Sequence, residues 1–231
     1  MKQTMKQAFL KSLPVMAGYV VLGFGFGMIA QKSGYGIWWV FAMSTFIYAG
    51  SMQYVAVDLL TGGATLITTA LTTLMVNARH LFYGISMIEP YKDAGKKKPY
   101  LIFGLTDETY SLVCSGQAPD GVDFHGYSFW VSLFNQSYWI IGSLLGALAG
   151  TVITFNTAGV DFAMTALFIT VLVEQWKSTK NHLPAVIGLV ASVVCLLLFG
   201  RENFLIPDML VISITLVLGR KVIERKGDLQ A

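Results

Sequence analysis

Residues 59–88 read LLTGGATLITTALTTLMVNARHLFYGISMI, a run with one formal charge, Arg79, flanked by Ala78 and His80 and two residues after Asn77. A helix needs roughly 20 apolar residues to cross a bilayer core of about 30 Å, so this run is long enough to span a membrane. An arginine inside it costs roughly 2.5–3.5 kcal/mol on insertion scales. A chain keeps such a group where it pairs, lines a water-filled cavity or holds a ligand. The stretch therefore points both to a helical membrane protein and to Asn77-Ala78-Arg79-His80 as a functional position.

The rest of the chain supports the class. Of 231 residues, 55% are hydrophobic and 13% charged, with a mean hydropathy of +0.61. A soluble domain averages about 25% charged residues. Uncharged runs separate Lys11 from Lys32, Lys32 from Asp58, Asp58 from Arg79, Asp123 from Asp161 and Lys180 from Arg201. Several membrane-length runs in one short chain predict an all-α, polytopic bundle of about 7–8 hydrophobic segments. The expected spans are 13–31, 37–58, 61–89, 100–118, 127–153, 161–176, 183–200 and 203–219. Aromatic residues that favour the headgroup level fall near many span ends: Tyr35, Trp38, Trp39, Tyr91, Tyr100, Tyr127, Trp130 and Trp176.

A basic N-terminus (Lys2, Lys6, Lys11) before an apolar run mimics a signal peptide. The run outlasts a signal h-region and lacks a small-x-small cleavage site before a polar domain, so it reads as the first membrane helix. Cys114 and Cys195 fall in or near different apolar segments and support neither a disulfide nor a metal site. The net charge of +3 reads as topology rather than nucleic-acid affinity.

Charge bias places the N-terminus and loop 92–98 on the cytoplasmic side. Three full spans would lie between them, an odd number. Arg220-Lys221 and Arg225-Lys226 raise a similar conflict in the second half. Either one loop violates the rule, or each half holds a re-entrant or broken element. The candidate in the first half is 61–89, opened by Gly62-Gly63 and interrupted at 77–80. Internal similarity points the same way. Phe41-Ala42-Met43-Ser44 is echoed by Phe162-Ala163-Met164-Thr165, each starting a short helix that reaches Gln53 or Gln175. Glycine pairs Gly23/Gly27 and Gly146/Gly150 precede them. The loop Asp120-Gly121-Val122-Asp123 lacks Lys and Arg, which suits the outside. The expectation is one membrane-transport domain, 1–231, with inverted repeat halves 1–118 and 127–219.

Several motifs have two readings. Gly23-Phe24-Gly25-Phe26-Gly27 sits inside a membrane helix with no preceding strand, which excludes a nucleotide loop. It serves either close helix packing or local unwinding. Tyr48-Ala49-Gly50-Ser51-Met52-Gln53 is either an ordinary polar helix contact or an unwound turn offering peptide N–H groups to a carboxylate. Arg79 and His80 either snorkel to an interface or mark a helix break. Asp107 and Glu108 point about 100° apart on a helix, so one suits pairing with Arg79 and the other an ammonium group or a proton. Asp161 suits a helix N-cap, and Glu174 an interface. No zincin, Cys-x-x-Cys or nucleophile-elbow motif occurs, and His80, His125 and His182 offer little for a metal cluster. An enzyme is not expected, nor is a cofactor.

At these residues the chain resembles the AzlC family, the large subunit of branched-chain amino acid exporters. The resemblance rests on Tyr48-Ala49-Gly50-Ser51-x-Gln53, on Asn77-x-Arg79-His80 followed by Tyr83-Gly84, and on Leu105-Thr106-Asp107-Glu108. Asp161-x-x-x-Thr165-Ala166-Leu167-Phe168 also fits. It implies export of valine, leucine and isoleucine across a prokaryotic cell membrane, with a small, separately encoded AzlD-type membrane partner. Such a zwitterion needs an anion site, a cation site and an apolar pocket. Gly50, Ser51, Gln53, Asn77, Arg79 and Asp107 are the expected substrate contacts, with Phe46, Tyr54 and Phe168 lining the pocket. His80 and Glu108 are the candidates for proton coupling, since desolvation shifts pKa values strongly. The alternatives are a passive facilitator for small amphiphiles and a non-transporting structural subunit.

Overall fold

A computed structural model describes residues 2–119, 121–152, 169, 172–173, 176–177, 181–204, 207–208, 210–212 and 214–219. The described residues are helical, in two compact units, 1–164 and 165–231. The first unit contains α1 (Lys2–Lys32), α2 (Ile37–Ala42) running into a π-turn (Met43–Ile47), α3 (Gly50–Thr61), α4 (Leu66–Asn77) and α5 (Arg79–Ser86). After a short 3-10 turn (Gly95–Lys97) come α6 (Lys98–Phe103), α7 (Asp107–Val113) and α8 (Phe124–Val152).

Helices α1 and α8 form the spine, because each presents a stripe of small and aromatic residues at helical spacing. On α1 the stripe is Tyr19, Leu22, Gly23, Phe26, Gly27 and Ala30; on α8 it is Trp139, Gly142, Ser143, Gly146 and Ala147. A Cβ on Gly27 would stand 1.9 Å from the Ser143 carbonyl oxygen, and one on Gly146 would stand 1.9 Å from that of Phe24. The glycines serve close packing, and α1 stays helical through them, so this motif does not unwind. Gly27→Ala or Gly146→Ala is expected to cost ~3 kcal/mol or more, since backbone cannot retreat as a side chain can. Gly18, whose Cβ would meet nothing within 4 Å, is the control. Size-exclusion of detergent extracts should show a monodisperse peak for Gly18→Ala and aggregate for the other two.

The two spine helices run parallel. Ser12 meets Tyr138, Gly23 meets Ser143, Gly27 meets Ala147 and Gln31 meets Gly150, so both numbers rise together. Both start at one end, where Lys97 lies 3.6 Å from Asp123 and Thr4 faces Gly126. This corrects two expectations. Residues 121–123 of the loop expected outside share an end with the lysine-rich loop, whose Lys97 faces Asp123. The two glycine-pair helices are parallel rather than inverted.

Measured along this spine, α2 enters from the far end and descends until the Thr45 carbonyl accepts from Gln136 Nε2 (3.0 Å). The chain then reverses. Tyr48 takes a left-handed conformation (φ 45°), uncommon for a bulky residue, after a π-turn of the kind found at functional sites. Helix α3 climbs back: Gly50 rests on the Trp139 ring, and higher up the Tyr54 hydroxyl donates to the Leu22 carbonyl (2.5 Å). Residues 37–61 are thus a re-entrant hairpin rather than a span, and Phe41 and Gln53 lie on opposite arms of it instead of on one helix.

Residues 66–86 do cross. Arg79 meets Ser51 at the hairpin tip, and beyond α5 Met87 and Tyr91 pack with Ala8 of α1. The expected re-entrant element, 61–89, is therefore a crossing. Its interruption at Ala78 keeps helical dihedrals (φ −54°, ψ −31°), so the direction persists. With α1 and 66–86 as the two crossings, the lysine loop returns to the N-terminal end and the parity conflict disappears. Burial pushes the Tyr91 phenol in this loop up to about 12.

The segment expected to span at 100–118 is a second hairpin, entering from the N-terminal end. Leu101 of α6 packs near Ala8, Thr106 reaches Tyr19 in mid-α1, and Val113 of α7 is back beside Ala8 and Tyr91. The turn occurs where Gly104 ends α6 and Thr106 caps α7 by accepting from the Thr109 N–H (3.3 Å).

Within the second unit, α9 (Leu183–Asn203) carries Pro184 in its first turn and kinks at Gly200 (φ 70°). Ser192 donates to Asp208 Oδ2 (2.8 Å), and the rings of Trp176 and His182 stack at 4.2 Å. By length and apolarity alone, two helices among the described residues qualify as full spans, Lys2–Lys32 and Leu183–Gly200. The uncharged α8, at 29 residues, is roughly 43 Å long at 1.5 Å per residue. The second-copy residues Asp161, 162–165, Phe168, Glu174 and Gln175 lie outside the described residues.

Candidate functional site: an ion pair between two hairpin tips

The hairpins enter from opposite ends and their tips meet beside mid-α1. Arg79, brought there by the crossing helix, joins them. Its Nη2 donates to Ser51 Oγ at 2.6 Å, and its Nη1 lies 2.9 Å from Asp107 Oδ2. The side chains are 31% and 19% exposed, so the pair is sheltered but reachable.

Each tip supplies complementary polar groups for a reason visible in its sequence. The break at Ile47-Tyr48-Ala49 lets α3 begin at Gly50 in mid-bundle, and no side chain caps its first N–H groups. Those groups and the helix dipole favour an anion. Gly50 is needed because a Cβ would press to 3.0 Å from the Trp139 ring. At the other tip, Asp107 and Glu108 occupy the first turn of α7, where the dipole favours carboxylates. Tyr19 donates to Glu108 Oε2 at 2.6 Å and lies equally close to Thr106 Oγ1. The Tyr48 hydroxyl is buried without a hydrogen-bond partner.

Of the residues singled out in the sequence, Ser51, Arg79 and Asp107 come together, with Gly50 beside Ser51 on α3. Glu108 is next to them but bonded to Tyr19. Gln53 is fully buried elsewhere: it accepts from the Trp139 indole (2.8 Å) and its amide faces Ser44 (3.4 Å), tying the hairpin to the spine. Asn77 offers its carbonyl to His80 Nδ1 (3.1 Å), while its side-chain oxygen is buried without a partner. Tyr54 is buried, whereas Phe46 is 75% exposed, although Met43 and Ser44 of the same π-turn are buried. Phe168 is outside the described residues. No group of three or more His, Cys, Asp or Glu among the described residues could hold a metal.

Sequence reasoning missed Tyr19, Trp139 and the buried Asn135, which donates to Thr109 Oγ1 (3.0 Å) beneath α7. Asn135-Gln136 had a signal: adjacent carboxamides in an uncharged membrane-length run demand partners. Tyr19 and Trp139 had none, because aromatic residues are ordinary in such helices.

Half-helices that enter from opposite ends and stop at a charged centre define a class, the polytopic membrane transport proteins. The comparisons with known proteins narrow it. The AzlC protein family model matches residues 14–153. The chain is 44% identical to the Branched-chain amino acid transport protein AzlC of Bacillus subtilis, over 95% of this chain and 87% of that one. It is 40% identical to an uncharacterized membrane protein of Haemophilus influenzae, over 98% and 92% of the two chains. Inner membrane protein YgaZ of Escherichia coli is 26% identical over 82% and 80%. No solved structure matches. The chain belongs to the AzlC family and is a multi-pass protein of the cell membrane with a transport role.

Proposed function

We propose that the chain exports branched-chain and other hydrophobic amino acids, coupled to protons and assisted by a small AzlD-type membrane subunit. The observation that carries this reading is Arg79 held between Ser51 at one hairpin tip and Asp107 at the other. An amino acid presents one carboxylate and one ammonium group a few ångströms apart. The carboxylate takes the uncapped N–H groups of Gly50 and Ser51 together with Arg79, and the ammonium takes Asp107. Arg79 thereby exchanges one carboxylate for another, so entry of the zwitterion does not strand a charge. That conservation of pairing makes a sheltered ion pair usable as a binding site, because an unpaired charge there is costly. Asn77, with a buried unpartnered oxygen on the same crossing helix, is a further polar contact. Similarity to a protein named for branched-chain amino acid transport supports the substrate class.

The test is efflux. Cells loaded with a valine-containing dipeptide and expressing the chain with its small-subunit partner should release valine several times faster than cells carrying an empty vector. Equal rates at confirmed expression would remove the reading. In inverted vesicles, valine should accumulate under an imposed pH gradient; equilibration without accumulation would identify a passive facilitator.

A further inference from the structure

We infer that the groove between α5 and α6 at the N-terminal end binds an anionic phospholipid, its acyl chain along the groove and its phosphate on Lys98. A cavity of about 280 Å3 opens here, lined by His80, Gly84, Met87, Ile88, Ile102 and Phe103 among others, with Lys98 at its wall. Apart from His80 and Lys98 the walls are largely apolar. Ile88, Ile102 and Phe103 are 63%, 59% and 41% exposed, so the groove opens to the hydrocarbon along its length, and its inner end reaches His80 and the buried Leu105 at the tip of the second hairpin.

Charge selects the lipid. Lys2, Lys6 and Lys11 of α1 and the lysines of loop 92–98 share this end, which the positive-inside rule turns toward the cytoplasm. Of the loop lysines, Lys92 and Lys97 already face Glu89 and Asp123. Among the described residues Lys96 and Lys98 have no acidic side chain within ion-pair distance, and only Lys98 lines the groove. Basic pockets between membrane helices on this side suit anionic headgroups. A zwitterionic amino acid fits less well, since no carboxylate lines the groove to take its ammonium group.

Gly84 makes the inference testable. It lies on the groove wall with nothing within 4 Å of its would-be Cβ and no positive φ, so a larger side chain can start into the groove from an open, unstrained position. The full chain is purified in mild detergent, and retention of phosphatidylglycerol, phosphatidylcholine of the same acyl length, and glycerol phosphate is measured by native mass spectrometry. Phosphatidylglycerol should be retained, and the other two should not. Gly84→Leu should abolish retention, Lys98→Gln should weaken it roughly fivefold, as expected for one lysine at an anionic surface, and Lys98→Arg should restore it. Equal retention of phosphatidylcholine, or unchanged retention in Gly84→Leu or Lys98→Gln, would overturn the assignment. So would displacement of the lipid by millimolar leucine, which would give the groove to substrate.

Discussion

Asp107→Asn and Arg79→Gln each lower valine efflux about tenfold or more, and the double variant folds as well as the native chain yet stays inactive. The first part follows from the geometry. Each single change leaves one charge without its 2.9 Å partner beside the tips of two hairpins. Removing one member of a buried pair costs about 3–5 kcal/mol. Partial exposure lowers that toward roughly 1.4 kcal/mol, which is still tenfold in an equilibrium. The double variant decides what the pair is for. Neutralising both groups removes the stranded charge, so a purely structural ion pair is largely repaired and efflux returns. A binding pair is not repaired, because glutamine and asparagine cannot offer a charge to either end of the zwitterion. Melting temperature and valine efflux measured on all three variants separate the outcomes. Recovery of both in the double variant would leave the pair as scaffold and dismiss it as a transport site.

The sequence exposed the members of this pair for an energetic reason. A charge in a membrane-length run cannot go unpartnered, so Arg79 implied an acid, and Asp107 and Glu108 were the acids inside another apolar segment. Gly50-Ser51 was visible for a weaker reason, small polar residues in mid-run. The hairpins were not visible as hairpins. Two short apolar helices joined by a turn have the same hydropathy as one full span, so by hydropathy 37–58 and 100–118 both look like crossings. What separates them is a backbone event, the left-handed Tyr48 after a π-turn, and no composition reports that. The parity conflict in the lysine loops was the one trace of it, and it pointed to the wrong element because Gly62-Gly63 and Arg79 looked more disruptive than Tyr48. Those glycines only join α3 to α4. The parallel course of α1 and α8 was hidden too, since the sequence at 120–123 has no lysine to declare its side and its Asp123 faces Lys97 of the other loop.

Glu108→Gln is expected to uncouple transport rather than stop it. Glu108 lies next to Asp107 in the first turn of α7, yet its carboxylate is committed to the Tyr19 hydroxyl and not to Arg79. It is therefore an acid inside the bundle that is hydrogen-bonded to a phenol rather than ion-paired through the 2.9 Å contact its neighbour makes, the kind of group that gains and loses a proton during a transport cycle. Glutamine keeps the shape and still accepts from Tyr19, but it cannot titrate. In proteoliposomes the native chain should accumulate valine under an imposed pH gradient. Glu108→Gln should lose that accumulation roughly tenfold or more while retaining valine–valine counterflow, which on the proposed binding mode rests on the Ser51–Arg79–Asp107 contacts. Tyr19→Phe removes the hydrogen bond and leaves the acid, so it should shift the pH profile of accumulation and preserve counterflow. His80 supplies the competing outcome. Its ring bonds to the Asn77 carbonyl and faces Tyr83 edge-on, on the same helix as Arg79. If His80→Gln abolishes accumulation and Glu108→Gln does not, the coupled proton belongs to the crossing helix rather than to the hairpin. Loss of counterflow together with accumulation in Glu108→Gln would instead make Glu108 a substrate contact, because a proton carrier is dispensable when no net charge moves.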